Sequence, residues 1–169
     1  VKTKRSRKKA RTREAADLTL IVEHDEWRNH PAALKLVRRA ANLALAGGGS
    51  AATILLSDDA RLRALNRQFR GKDKPTNVLA FPSGDSGYLG DVAIALGVVE
   101  REARAQGKSV PAHAAHLAAH GILHLKGYDH VTASACAIME RAETLILVKL
   151  GLPPPYTPRP YTKAAKAVN

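Results

Sequence analysis

The chain is poor in cysteine, in aromatic residues and in long apolar runs, and each shortage removes a class of protein. Its one cysteine, Cys136, cannot form a disulfide within the chain, which fits a reducing compartment and leads us to expect the cytoplasm. Cys136 itself reads as a small packing residue. Phe, Trp and Tyr together make up 4% of the residues, too few for a base-stacking platform built from several rings. No apolar run approaches the roughly 20 residues of a membrane span. The run from Leu18 to Val22, broken by Thr19 and ended by Glu23, is too short for the core of a secretory signal. Gly47-Gly48-Gly49-Ser50 is not followed by Gly-Lys-Ser/Thr, so it reads as a turn and not as a phosphate loop.

Acids are also scarce: 15 Asp and Glu against 27 Lys and Arg, a net charge of +12. The imbalance is concentrated. Residues 1–13 hold eight cations and no acid, which leaves +4 for the remainder. Such an arm suits RNA or DNA through counterion release. It is also compatible with a solvated tail or an Arg-rich, acid-poor organellar presequence. With 169 residues, 45% of them hydrophobic, the chain can bury one proper core. We expect a basic, disordered arm over 1–17, one domain over 18–152, and a proline-rich tail over 153–169 that starts at Pro153-Pro154-Pro155.

Within the domain, Leu18–Val22, Ala51–Leu56, Val78–Phe81 and Asp91–Ala95 read as strands, rich in β-branched and apolar residues. Helices are expected from Pro31 to Ala46, Asp58 to Phe69 with Ser57 as N-cap, Val98 to Gln106, Pro111 to Leu125, and from a Thr132 cap to Leu150. Cys136, Met139, Leu145, Ile146 and Leu150 are the buried candidates of the last helix, with Gly151 ending it. This order predicts an α+β fold: a small, mostly four-stranded mixed sheet packed with about five helices, the fourth of them central.

That fourth helix carries the chemistry. His120, His124 and His130 stand in the pattern His-x3-His-x5-His. Residues four apart on a helix are separated by about 40° around its axis, so His120 and His124 project side by side. Gly127 then breaks the helix, and His130 can fold back as a third ligand. Three imidazoles suit one Zn²⁺ ion and leave one tetrahedral position for chemistry. The spacing overlays the metzincin pattern His-Glu-x-x-His-x-x-Gly-x-x-His, but Gly121 stands where the protease has its general base. A peptidase therefore loses its key residue. His116, one turn before His120, reads as a packed core histidine. Asp129 reads as a residue that orients an imidazole or caps the last helix, not as a base.

The run His120-Gly121-Ile122-Leu123-His124-Leu125-Lys126-Gly127-Tyr128-Asp129-His130 resembles the signature of the YbeY family, bacterial metal-dependent endoribonucleases of ribosomal RNA maturation. Leu65-Asn66 together with Arg70-Gly71-Lys72-Asp73-Lys74-Pro75-Thr76-Asn77-Val78-Leu79-Ala80-Phe81-Pro82 resembles a second family motif, and Leu89-Gly90-Asp91-Val92 a third. Met139 and Glu143 also sit where the family tends to have them. Ala80 replaces a usual Ser, and Asn77 a common Asp. The resemblance implies zinc ligation by His120, His124 and His130, and a catalytic Arg70 in the cleft. Arg70 could otherwise pair with Asp73. It further implies single-strand-specific cleavage near the 3′ end of small-subunit rRNA and a role in ribosome quality control. The expected partners are ribosomal RNA and the small ribosomal subunit, with no membrane, and the chain is expected as a monomer or weak oligomer. Two other classes are considered: a non-catalytic, zinc-containing RNA-binding assembly factor, and a metallopeptidase with another base.

Overall fold

The computed structural model describes residues 17–48 and 50–156. The basic arm, except Asp17, and the tail beyond Tyr156 lie outside the described residues. Four strands, β1 (Leu18–Val22), β2 (Ala51–Ser57), β3 (Val78–Pro82) and β4 (Tyr88–Ala95), form one sheet in the order β1-β2-β4-β3. The first two pairings are parallel and β3 runs antiparallel to β4, so the sheet is mixed, as expected. Among the described residues there are five α-helices, α1 (Pro31–Leu45), α2 (Asp59–Arg70), α3 (Leu96–Ala105), α4 (Val110–Leu125) and α5 (Ala133–Lys149), and one short 3-10 helix, Asp25–Asn29.

Strand alternation sends side chains to two faces. One face carries Ile54, Leu56, Val92 and Ile94 into the main core against α1 and α4, with α5 behind them. The opposite face packs Leu79, Ala93 and Ala95 against Leu62 of α2. The fourth helix is the central one: ten of its sixteen residues are buried, so it has little freedom to shift relative to the sheet.

Gly121 explains how closely that helix lies on the sheet. A Cβ there would sit 2.5 Å from Val92 Cγ1 and 2.9 Å from Cγ2, and Val92 is fully buried. We expect Gly121→Ala to lose roughly 1–3 kcal/mol, the usual cost of overpacking, despite alanine's better helix propensity. Urea unfolding measures this; a neutral or stabilised variant would show that helix and sheet can separate freely. The same contact disfavours the protease glutamate at this position, since its Cβ alone would already press on Val92.

Several boundaries differ from expectation. Ser57 does not cap α2. It stays in β2, paired with Ala95, and its hydroxyl donates to Glu23 at 2.5 Å. Asp58 is the cap, its carboxylate accepting from the Arg61 amide at 2.8 Å. β4 begins at Tyr88 rather than Asp91 because Gly90, normally a strand breaker, is required inside it. At φ +133°, a Cβ on Gly90 would fall 2.1 Å from the Phe81 carbonyl oxygen. In α5, Met139 and Ile146 are buried but Leu145 is 54% exposed, because the helix rests on α4 and α1 along one flank only. Cys136 and Leu150 are half-buried.

Candidate metal centre

Ser109 and Pro111 start α4: the Ser109 hydroxyl accepts from the Ala112 amide at 3.3 Å, and proline at the first turn gives up no helical bond. Two and three turns on, His120 and His124 bring their Nε2 atoms 3.0 Å apart, with rings 4.5 Å between centroids at 83°. The helix then ends in a reversal. The Gly127 amide donates to the His124 carbonyl at 2.9 Å and the Tyr128 amide to the Leu123 carbonyl at 3.0 Å. Gly127 takes φ +89°, a left-handed conformation that glycine adopts without steric cost. The turn carries His130 back over the cluster from the solvent side, 5.8 Å from the His120 ring and 5.0 Å from that of His124. One ring nitrogen from each histidine lies within 4.8 Å of the others.

Both helical imidazoles are fixed from behind. His124 Nδ1 donates to the Tyr128 carbonyl at 2.9 Å. His120 Nδ1 donates to Glu143 Oε1 at 2.6 Å. A carbonyl and an ionised carboxylate accept only, so each Nδ1 keeps its hydrogen and each Nε2 presents a lone pair. Two lone pairs facing each other at 3.0 Å repel unless a cation or a shared proton lies between them. The donor set therefore fits a borderline divalent ion. Burial, then the neighbouring His120, lowers the His124 pKa, which favours the neutral imidazole that a metal needs.

Glu143 of α5 is fully buried, and a lone carboxylate there would cost several kcal/mol. Burial pushes its carboxyl up, but hydrogen bonds from His116, His120 and Tyr156 outweigh that and hold it at about 2. His116 Nε2 lies 3.2 Å from Glu143 Oε2 and 3.3 Å from the Tyr156 hydroxyl, which itself donates to the same carboxylate. Burial and that carboxylate push the tyrosine pKa upward. So His116 is more than a packed core residue: it helps hold the acid that orients His120. The described part of the proline-rich segment takes part as well, since Tyr156 docks on this carboxylate and the Pro155 carbonyl accepts from Lys108 at 3.1 Å. A buried carboxylate behind a ligand imidazole raises its basicity and fixes its ring.

Arg70 is the last residue of α2. Gly71, at φ +67°, ends the helix there by donating to the Arg67 carbonyl at 3.1 Å. The side chain is exposed and lines an open cleft of about 400 Å³ shared with His120, His124, His130, Thr76 and Asn77. Asp73, the alternative partner for Arg70, is held instead by Arg63 in a two-point contact at 2.8 and 3.0 Å. Among the described residues, no acid pairs with Arg70. The connection from Arg70 to β3 is held in place: Asn66 donates to the Lys74 carbonyl at 2.9 Å, and Asn77 donates to Glu102 at 3.0 Å while accepting from the Val78 amide at 2.7 Å. Asp129 is exposed and accepts from the Val131 amide at 3.1 Å, so it shapes the turn; Thr132 caps α5.

The role of Glu143 is the main feature that the residue pattern does not show. It lies four residues after Met139 and four before Leu147, on the buried side of α5. An acid on an apolar helical face needs partners, and that is the signal that could have found it. Tyr156 carried no such signal.

Comparison with known proteins agrees with the geometry. Residues 21–151 match the family model described as endoribonuclease YbeY. A protein of that name from Rhodopseudomonas palustris is 45% identical over 150 residues, covering 81% of this chain and 79% of its own. Another, from Azorhizobium caulinodans, is 43% identical over 152 residues, covering 83% and 96%. The solution structure of a Thermotoga maritima protein, 22% identical, superposes with a TM-score of 0.54 over 79% of this chain and 91% of that one, a likeness of fold. Among the described residues, no helix is long and apolar enough to cross a membrane. Family model, relatives and motif order lead to one conclusion: the chain belongs to the YbeY endoribonuclease family.

Proposed function

We propose that this protein is a single-strand-specific, metal-dependent endoribonuclease that acts on small-subunit rRNA near its 3′ end and in ribosome quality control, in the cytoplasm. His120, His124 and His130 would hold one Zn²⁺ ion. The observation that carries this reading is the convergence of three imidazoles in an open cleft that Arg70 also lines. A divalent ion there supplies Lewis acidity that stabilises charge building on a phosphate oxygen. Arg70, exposed and uncommitted, can offer a planar two-point contact to a phosphate. Glu143 lies behind His120 with no exposed surface, so it does not touch substrate; it positions the imidazole. The eight cations of residues 1–13 would add sequence-independent attraction to rRNA, weakening as salt rises.

The test is cleavage of a labelled single-stranded rRNA fragment and of its perfect duplex by metal-quantified protein. The single strand is expected to be cut at least about tenfold faster, and a chelator to stop the reaction. Equal cutting of the duplex would remove the strand preference. Stoichiometric zinc with RNA binding but no cleavage would favour an assembly factor instead.

A further inference from the structure

Phe69 precedes Arg70 in α2, yet its side chain is 59% exposed. It is not loosely placed. Phe81 of β3 holds it in an edge-to-face contact, ring centroids 5.1 Å apart and planes at 65°. Such a contact fixes the ring while leaving flat surface open to solvent. β3 is an edge strand. Alternation along it sends Val78, Ala80 and Pro82 to the cleft and Leu79 and Phe81 to the other side, so the Phe69–Phe81 pair lies on the α2 face of the sheet, across the edge strand from the cleft that Arg70 lines.

The surroundings are cationic. Arg67, Arg70, Lys72 and Lys74 all lie within five residues of Phe69 and are exposed, and among the described residues none of the four is in a salt bridge. Arg63 and Asp73 neutralise each other nearby. Arg63, Arg67 and Arg70, spaced by four and three, follow one helical face toward the cleft. An exposed, fixed aromatic ring flanked by cations outside any salt bridge among the described residues matches a polyanion whose monomers carry flat apolar faces, which is a nucleic acid strand with unpaired bases.

We propose that Phe69 stacks against an unpaired base of the RNA strand whose phosphate Arg70 engages, while Arg67, Lys72 and Lys74 follow the adjoining backbone. The proposal rests on the ribonuclease reading above and adds a physical source for the strand preference. In a duplex the bases already stack on one another and offer Phe69 no face. One ring is enough for this, and it needs no platform of several aromatics.

Full-length Phe69→Ala, Phe69→Leu and Phe69→Trp test it by fluorescence anisotropy. The probes are a labelled single-stranded rRNA oligonucleotide, an abasic strand with the same number of phosphates, and a matched duplex. The alanine and leucine variants should bind the single strand about tenfold more weakly, with metal content, circular dichroism and duplex binding unchanged. The tryptophan variant should bind as the parent does, and its emission should be quenched by the base-bearing strand but not by the abasic one. Trp27 is fully buried and gives a constant background. Parental affinity in both the alanine and leucine variants, or unquenched emission in the tryptophan variant, would overturn the stacking role. A parent protein that binds none of the three probes would overturn the ribonuclease reading itself.

Discussion

His124→Ala is expected to lose the metal and the activity together, with cleavage falling by about a thousandfold or more. His124 supplies one of two nitrogens that face each other at 3.0 Å, and His120 and His130 cannot by themselves make the three-ligand set. The fold should survive. His124 is half-buried and near the end of its helix, and alanine is the best helix former. The lost hydrogen bond to the Tyr128 carbonyl should cost about 1 kcal/mol and loosen the turn that carries His130. Metal analysis after gel filtration, with circular dichroism as the control for folding, makes the measurement. A folded His124→Ala protein that keeps one equivalent of metal and cuts RNA would show that the ligands lie elsewhere.

Arg70→Glu should separate chemistry from metal binding. The residue is exposed and, among the described residues, no acid pairs with it, so stability should change by no more than about 0.5 kcal/mol. Metal content should stay at the parental level. Cleavage should fall by roughly a hundredfold to a thousandfold, because the variant removes a donor pair and places a negative charge where phosphate must enter. Arg70→Lys should fall between the two, since an ammonium keeps the charge but not the planar two-point geometry. Steady-state kinetics on a single-stranded substrate measures both. If Arg70→Glu cleaves at the parental rate, Arg70 is only a surface cation.

Much of the fold was legible in the sequence because its determinants are local. The pattern of His120, His124, Gly127 and His130 defines a helix, its reversal and a third donor within eleven residues, and the structure brings the three rings together as that spacing implies. Strand and helix order followed from apolar runs and from Pro31, Thr132 and Gly151. What was not legible depends on contacts distant in the chain. Ser57 is a good cap by identity, but Glu23, 34 residues away, takes its hydroxyl, and the cap passes to Asp58. Gly90 reads as a strand breaker until Phe81 is placed beside it. His116 reads as simple packing in the sequence because its partners, Glu143 and Tyr156, approach from another helix and from the segment after it. Likewise, only the pairing of Arg63 with Asp73 shows that Arg70 is left uncommitted.

If the histidine cluster and its cleft cut single-stranded RNA with a metal, removing the metal must remove the cleavage. The most direct measurement takes one preparation of purified protein, quantifies its metal, and follows cleavage of a single-stranded rRNA fragment in three states: as purified, stripped by chelator, and reloaded with stoichiometric Zn²⁺. Cleavage is expected in the first state, none in the second and recovery in the third, with a His120→Ala/His124→Ala protein inactive in all three. Undiminished cleavage by the stripped protein, or by the double variant, would contradict it.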